Sequence, residues 1–396
     1  MKVLQGGLEN VPGFKFSALS CNIRYEGRLD YALIVSDIPC NAAGLFTTNR
    51  VSAAPVKLCR ERIGNKIRGI LINATNANAC TGNQGYGNAL TLTEDMAAKL
   101  GTESSSLLMC STGIIGHQLP VEKMLAAHEN LAGSLSRENG GIIPKAIMTT
   151  DTFPKSISVS FETSKGTYTI AGTTKGSGMI APNMATMLAF IITDAPVASE
   201  NLTALFRKAV KKTLNAITID GDMSTNDTAL ILSPAGAEHL KEDGDLASFY
   251  AALEHVLMEL AAMLVTDGEG ATKLVRVRVT GAQNDDDAWR VARAVAQSAL
   301  VKTAFFGQDP NWGRVACAAG YSGADVHEET LTISFGDITL LKNGTPVPFD
   351  HETLKNIMKN REFDVMIDLG MGTAGAMMMT CDFSYDYVKI NAEYTT

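Results

Sequence analysis

The sequence predicts an α/β (α+β) fold of layered sheets with flanking helices. Three observations carry this: short apolar runs bounded by turn residues, longer segments with helical periodicity, and strand runs that occur in adjacent pairs. Ala32–Val35, Gly69–Asn73 and Ser106–Cys110 are apolar enough for buried strands. Ser156–Phe161 and Thr167–Gly172 flank Ser164-Lys-Gly166, the pattern of a hairpin, and Met184–Ile192 is an apolar strand behind a glycine turn. Apolar residues recur at helical spacing in 93–100, 121–132, 200–214, 246–264 and 286–301, and Asp285 to Asp287 give the last of these an acidic first turn that suits the helix dipole. Later strands are expected at 273–279, 331–335, 338–341, 363–368 and 376–382. Aromatic and β-branched residues in Phe383–Asn391 predict a final strand. No internal repeat, low-complexity linker or composition shift marks a domain boundary.

Composition narrows the function. The chain has 396 residues, 45% hydrophobic and 19% charged, enough for one large or two medium cores. A net charge of −8 argues against a nucleic-acid partner. The densest basic group, Arg207, Lys208, Lys211 and Lys212, has the spacing of a solvated helix face. No apolar run approaches bilayer-spanning length and no signal peptide opens the chain, so a soluble cytoplasmic protein with no membrane partner is expected. Seven dispersed cysteines without a Cys-x-x-Cys pair are expected to be buried free thiols. Cys110 with His117 is the only sequence-local thiol–imidazole pairing, a weak basis for a cysteine enzyme. The histidines show no metal-ligand spacing, and no metal is expected. Asp220-Gly-Asp222 lacks the Gly and Glu of a calcium loop; Gly176-Ser-Gly178 and Gly268-Glu-Gly270 lack the dinucleotide and P-loop patterns.

The most informative stretch is Lys175-Gly-Ser-Gly-Met-Ile-Ala-Pro-Asn-Met-Ala-Thr-Met-Leu188. Thr186 follows the small Ala185, and no His, Cys or Asp lies within five residues of it. A threonine without a local base becomes a nucleophile when the bond before it is cut, because its new α-amine, titrating near about pH 8, takes the proton. On local pattern alone, the reading of Thr186 as a core position in an apolar strand is the favoured one.

This stretch resembles the signature of the ornithine acetyltransferase family, the bifunctional glutamate N-acetyltransferases of cyclic arginine biosynthesis. Other blocks resemble the family in the same order: Thr47-Thr-Asn-Arg-Val51, Ala54-Pro-Val56, Asn76-Ala-Asn-Ala-Cys-Thr-Gly82, Ser111-Thr-Gly-Ile-Ile-Gly116 and Met148-Thr-Thr-Asp-Thr152. Asp220-Gly-Asp-Met-Ser-Thr-Asn-Asp-Thr228, Asp309-Pro-Asn-Trp-Gly-Arg314 and Lys389-Ile-Asn-Ala-Glu-Tyr-Thr-Thr396 complete the series. Ala74-Thr75 depart from the family's usual Ser-Gly.

The resemblance implies a fold of the self-processing aminopeptidase type and cleavage between Ala185 and Thr186. Residues 1–185 and 186–396 then become two fragments, associated as an α2β2 heterotetramer. It implies Thr186 as nucleophile and Thr112 and Gly113 as oxyanion-hole residues. Thr149, Lys175, Glu269, Asn391 and Thr396 become substrate contacts, with Thr149 and Thr150 not separable by sequence. The implied reaction moves an acetyl group from N2-acetyl-L-ornithine to L-glutamate through an acetyl-Thr186 ester, without a cofactor; acetyl-CoA is a further candidate donor. Two rivals stand beside it: a self-cleaving N-terminal-nucleophile aminopeptidase or amidohydrolase, and a binding protein with an inert Thr186.

Overall fold

In a computed structural model, which describes residues 1–181, 187–236 and 238–393, the apolar runs form two sheets. The first contains β1 (Lys2–Leu4), β2 (Phe14–Leu19), β3 (Tyr31–Phe46), β4 (Ile67–Asn73), β5 (Leu107–Ser111), β6 (Lys155–Thr163), β7 (Gly166–Lys175) and β8 (Leu188–Thr193). The next strand, β9 (Ile217–Thr218), belongs to the other sheet, and β10 (Thr228–Pro234) returns to the first. Strand order in this sheet is β1-β6-β7-β8-β10-β3-β4-β5, with β2 paired to β3.

The predicted hairpin is β6–β7, in register from Lys155↔Thr174 to Thr163↔Gly166. β8 lies between β7, antiparallel, and β10, parallel. All six β8 residues are buried, which explains a continuous apolar run rather than an alternating one. Leu188, Phe190 and Ile192 pack with Phe14, Phe16 and Ile34 on one face. Ala189 and Ile191 pack on the other with Leu253, Val256 and Leu257. Each buried Phe or Ile here contributes roughly 1.5–3 kcal/mol.

The second sheet has β11 (Leu274–Ala282), β12 (Thr332–Phe335), β13 (Ile338–Lys342), β14 (Thr345–Pro346), β15 (Glu362–Asp368) and β16 (Ala374–Cys381), with β9 at its edge. Its order is β14-β13-β12-β15-β11-β16-β9. Because β9 pairs with β16 and β10 with β8, residues 219–227 cross from one sheet to the other. That crossing carries the Asp220–Thr228 block toward the site described below.

Helices cover the sheets. They are α1 (Ala54–Arg62), α2 (Gly82–Leu100), α3 (Val121–Gly133), α4 (Ile143–Ala146), α5 (Ser199–Lys212), α6 (Asp243–Thr266), α7 (Asp285–Gln297), α8 (Ala299–Phe306), α9 (Trp312–Gly320), α10 (His351–Lys359) and α11 (Tyr385–Glu393). α5 and α6 share a core with the first sheet; α7, α9 and α10 cover the second. α6 is long and apolar enough by length and composition to cross a bilayer, which the sequence reading did not anticipate. Its Phe249, Leu253, Val256, Leu260 and Leu264 are instead buried in the first core. The four basic residues of α5 are exposed, as their spacing predicted.

Two expected elements come out differently. The helix expected over 286–301 is two helices, α7 and α8, because Ser298 leaves helical geometry and its hydroxyl accepts the Val301 N–H at 3.3 Å. The final strand over 383–391 is helix α11. Strand propensity reflects packing against neighbouring strands. The chain has already left the sheet at Cys381, and no α11 residue is buried. Two of the seven free cysteines, Cys80 and Cys317, are exposed rather than buried.

Candidate active site

The site starts at the end of β5. Its five residues are buried, and the chain then turns through Thr112 and Gly113. The Asn73 carbonyl accepts the Thr112 N–H at 3.0 Å, and the Asn73 side chain accepts the Ser111 hydroxyl at 2.6 Å. With its amide committed, Thr112 offers the pocket its hydroxyl. Gly113 sits at φ +133°, and a Cβ there would lie 2.1 Å from the Thr75 carbonyl carbon, so only glycine fits. Asn226 holds the turn from behind, donating to the Ser111 carbonyl at 2.8 Å and the Ala77 carbonyl at 2.6 Å.

The departure at Thr75 has a structural cost. Thr75 adopts φ +72°, a left-handed conformation in which a β-branched side chain is strained. Its hydroxyl is buried and has no hydrogen-bond partner among the described residues.

Lys175, the last residue of β7, enters the pocket from a second direction. It is buried, and its ammonium donates to the Thr112 hydroxyl at 3.2 Å. That bond occupies a Thr112 lone pair and leaves the O–H to point elsewhere. Burial pushes the Lys175 ammonium down from its ordinary range, and Asp151 is the largest opposing influence. Asp151 accepts the Gly176 N–H at 2.7 Å, the Thr149 N–H at 2.9 Å and the Lys155 ammonium at 2.6 Å. Burial raises the Asp151 carboxyl, but Lys175, Lys155 and these donors outweigh it and bring it down to about 2. Lys155 also pairs with Asp267 at 2.5 Å, and Asp267 accepts the Thr152 N–H at 3.0 Å.

The third wall is Gly268–Gly270. The Glu269 N–H donates to the Ser177 carbonyl at 2.7 Å, and Asn391 of α11 donates to the Glu269 carboxylate at 2.9 Å. Gly178 lies against that carboxylate: a Cβ would sit 2.4 Å from Glu269 Oε2. Thr150 and Ser177 share a hydroxyl–hydroxyl bond at 2.6 Å, whereas the Thr149 hydroxyl makes no bond among the described residues. Thr149 is therefore the freer donor of the two.

These walls line a pocket of about 100 Å³ that opens to solvent. Thr112, Gly113, Thr149, Lys175, Glu269 and Asn391, six residues singled out from the sequence, all line this one pocket. Asn391 reaches it from a helix rather than from the expected strand. Ala185, Thr186 and Thr396 lie outside the described residues.

Just beyond Thr186, the Met187 N–H donates to Asp227 Oδ1 at 3.1 Å. Asp227 is fully buried, and its second oxygen has no partner among the described residues; burial pushes its carboxyl well up. Sequence reasoning missed Asp151, Lys155, Asp267 and Asp227, although Asp151 and Asp227 sit in the quoted blocks. A cysteine enzyme gains nothing here, since Cys110 is buried in β5 with its thiol pushed up by burial. Among the described residues no cluster of His, Cys, Asp or Glu has the makings of a metal site.

The arrangement offers a hydroxyl donor, a buried cation and a carboxylate around one cavity, the means to bind a zwitterion beside an acyl carbon. The ArgJ family model matches residues 15–396. The arginine biosynthesis bifunctional protein ArgJ of Geobacter sulfurreducens is 49% identical over 393 residues, covering 98% of this chain and 100% of that protein. Its counterpart in Caldanaerobacter subterraneus is 44% identical over 404 residues, covering all of both chains. A solved structure of the ArgJ protein of Bacillus halodurans is similar with TM-score 0.50 and 41% identity. That match covers 52% of this chain and 98% of the solved one.

Proposed function

The chain belongs to the ArgJ family, and it is an acetyltransferase of arginine biosynthesis; from that premise we propose that it moves the acetyl group of N2-acetyl-L-ornithine to L-glutamate. The observation that carries this reading is the convergence of Thr112, Gly113, Thr149, Lys175, Glu269 and Asn391 on one pocket.

In this proposal the chain first cuts itself between Ala185 and Thr186. The Thr186 hydroxyl then attacks the acetyl carbonyl, and the freed α-amine takes its proton. The Thr112 hydroxyl and the Gly113 N–H receive the negative charge of the tetrahedral intermediate. The C–N bond breaks, the proton passes to the leaving nitrogen, and ornithine departs from an acetyl-Thr186 ester. The glutamate amine attacks that ester and regenerates the hydroxyl. Lys175 and the Thr149 hydroxyl hold the α-carboxylate, Glu269 takes the ornithine ammonium, and Asn391 and Thr396 complete the contacts.

Cleavage is supported by the Bacillus halodurans chain, which is about half as long as this one. The fragments 1–185 and 186–396 stay together in an α2β2 assembly in the cytoplasm, with acetyl-CoA as a second donor. A denaturing gel with N-terminal sequencing tests cleavage: Thr should open the second fragment, and Thr186→Ala should remain one chain. Incubation with N-acetylornithine, with and without glutamate, tests transfer. Acetate release indifferent to glutamate would instead identify a hydrolase. Native mass measurement tests the assembly, and rates with acetyl-CoA as sole donor test the second activity.

A further inference from the structure

We propose that Asp151 is the counter-ion and anchor of Lys175, a positioning residue on which recognition of the substrate carboxylate depends. This rests on the reading of Lys175 as the carboxylate partner.

Lys175 is shielded from bulk solvent. Its ammonium is buried, and its hydrogen bond among the described residues is to a neutral group, the Thr112 hydroxyl, at 3.2 Å. A buried ammonium without compensating charge gives up its proton, and a neutral amine binds a carboxylate poorly. Among the described residues four ionisable groups act on it: Asp151, Lys155, Glu269 and Asp227. Lys155 works against its charge. Asp227 is itself pushed well up by burial, which weakens it as a partner for a cation, and it comes after Asp151 and Glu269 among the groups that favour the ammonium. Glu269 accepts from Asn391 on the far wall and acts less than Asp151.

Asp151 has the geometry for the role. One oxygen takes the N–H of Gly176, the residue after Lys175, at 2.7 Å; the other takes the N–H of Thr149 at 2.9 Å. One carboxylate thereby fixes the backbones of both proposed carboxylate-binding residues. Lys155 does not use up its charge, because Lys155 is shared with Asp267 at 2.5 Å. Ionised, Asp151 and Asp267 match the charges of the buried Lys155 and Lys175, and a carboxyl at about 2 keeps Asp151 in that form.

The test is Asp151→Asn in the processed enzyme, with kcat and KM for N-acetylornithine measured from pH 6 to 9. KM should rise about tenfold or more at pH 8. It should fall back toward the wild-type value at pH 6, where Lys175 regains its proton, while kcat changes much less. Adding Lys175→Met should abolish that pH dependence. An unchanged KM, or a rise independent of pH, would overturn the proposal, since a merely structural role gives no such profile.

Should the Asp151→Asn protein fail to fold, the wild type still decides the matter by NMR of 15N-labelled lysine side chains, with Lys175 assigned by its loss in Lys175→Arg. An ammonium protonated through pH 9 supports Asp151 as counter-ion; one that titrates below pH 7 overturns it. A wild type inactive on N-acetylornithine would sink the functional reading alone, and the same titration would still judge the counter-ion.

Discussion

Replacing Thr75 by glycine should stabilise this protein. Thr75 holds φ +72°, and a residue with a Cβ in that region costs roughly 1–2 kcal/mol. Its buried hydroxyl has no partner among the described residues, a further cost of about 1–3 kcal/mol. Against these gains, glycine loses about 0.5–1 kcal/mol more conformational entropy on folding. The lost methyl group subtracts about 0.8 kcal/mol of burial. The net expectation is about 1–2 kcal/mol in favour of Thr75→Gly. At about 2.1 cal/mol/K per residue, a chain of 396 residues has an unfolding entropy near 0.8 kcal/mol/K, so Tm should rise by about 1–2 °C. Differential scanning calorimetry resolves such a shift, and urea unfolding should show a higher midpoint at unchanged slope. Thr75 packs behind Gly113 without lining the pocket, so kcat should not move. A lower Tm would refute the reasoning: Thr75 would then be a packing residue whose methyl outweighs its backbone strain.

Three further outcomes are expected. Thr112→Val should lower kcat by about 10²–10³ with Tm nearly unchanged, because the Thr112 amide stays bonded to Asn73; Thr112→Ser should keep most activity, and steady-state kinetics on both variants check this. Gly178→Ala should push aside the Glu269 carboxylate, the free end of a flexible side chain, and break its 2.9 Å bond to Asn391. KM for N-acetylornithine should then rise about tenfold with little change in kcat or Tm. Finally, burial, opposed by the N–H groups of Asp222, Met179 and Ile180, pushes the Asp220 carboxyl from 3.8 up to about 6. A group raised on folding contributes stability that is present below its unfolded value and lost as pH rises through the folded one. The unfolding free energy of wild type minus that of Asp220→Asn should therefore fall between about pH 4 and 6 and then level off, which urea titrations across that range measure.

The elements most legible in the sequence are those whose partners are predictable. β8 is buried on both faces, so its apolar run announces it; β6 and β7 are adjacent and joined by a turn signal. α11 misled because aromatic content describes what a segment can pack against, and this segment buries none of its residues. The pocket residues were legible through resemblance, since a lone Lys or Glu ordinarily reads as solvated. The Asp151–Lys155–Asp267 cluster was not. Asp267 lies 112 positions from Lys155, and only the fold shows that neither charge reaches water. Asp227 was hidden for the same reason, its isolation being a property of what surrounds it.

The strand order of the first sheet has a consequence for the life of the molecule. β7 precedes the proposed cut and β8 follows it, yet they are ladder neighbours; β10, also from the second fragment, is zipped to β3 from the first. Once cut, the second fragment keeps all of the second sheet but neither keeps the whole of the first, so the pieces cannot part without melting the core they share. The protein would assemble as one covalent chain, where bringing these strands together is a unimolecular search. After denaturation the processed pieces must find each other in solution, and recovery becomes dependent on concentration. The enzyme would thus owe its persistence to the slowness of its unfolding, held in a state to which it has no easy return.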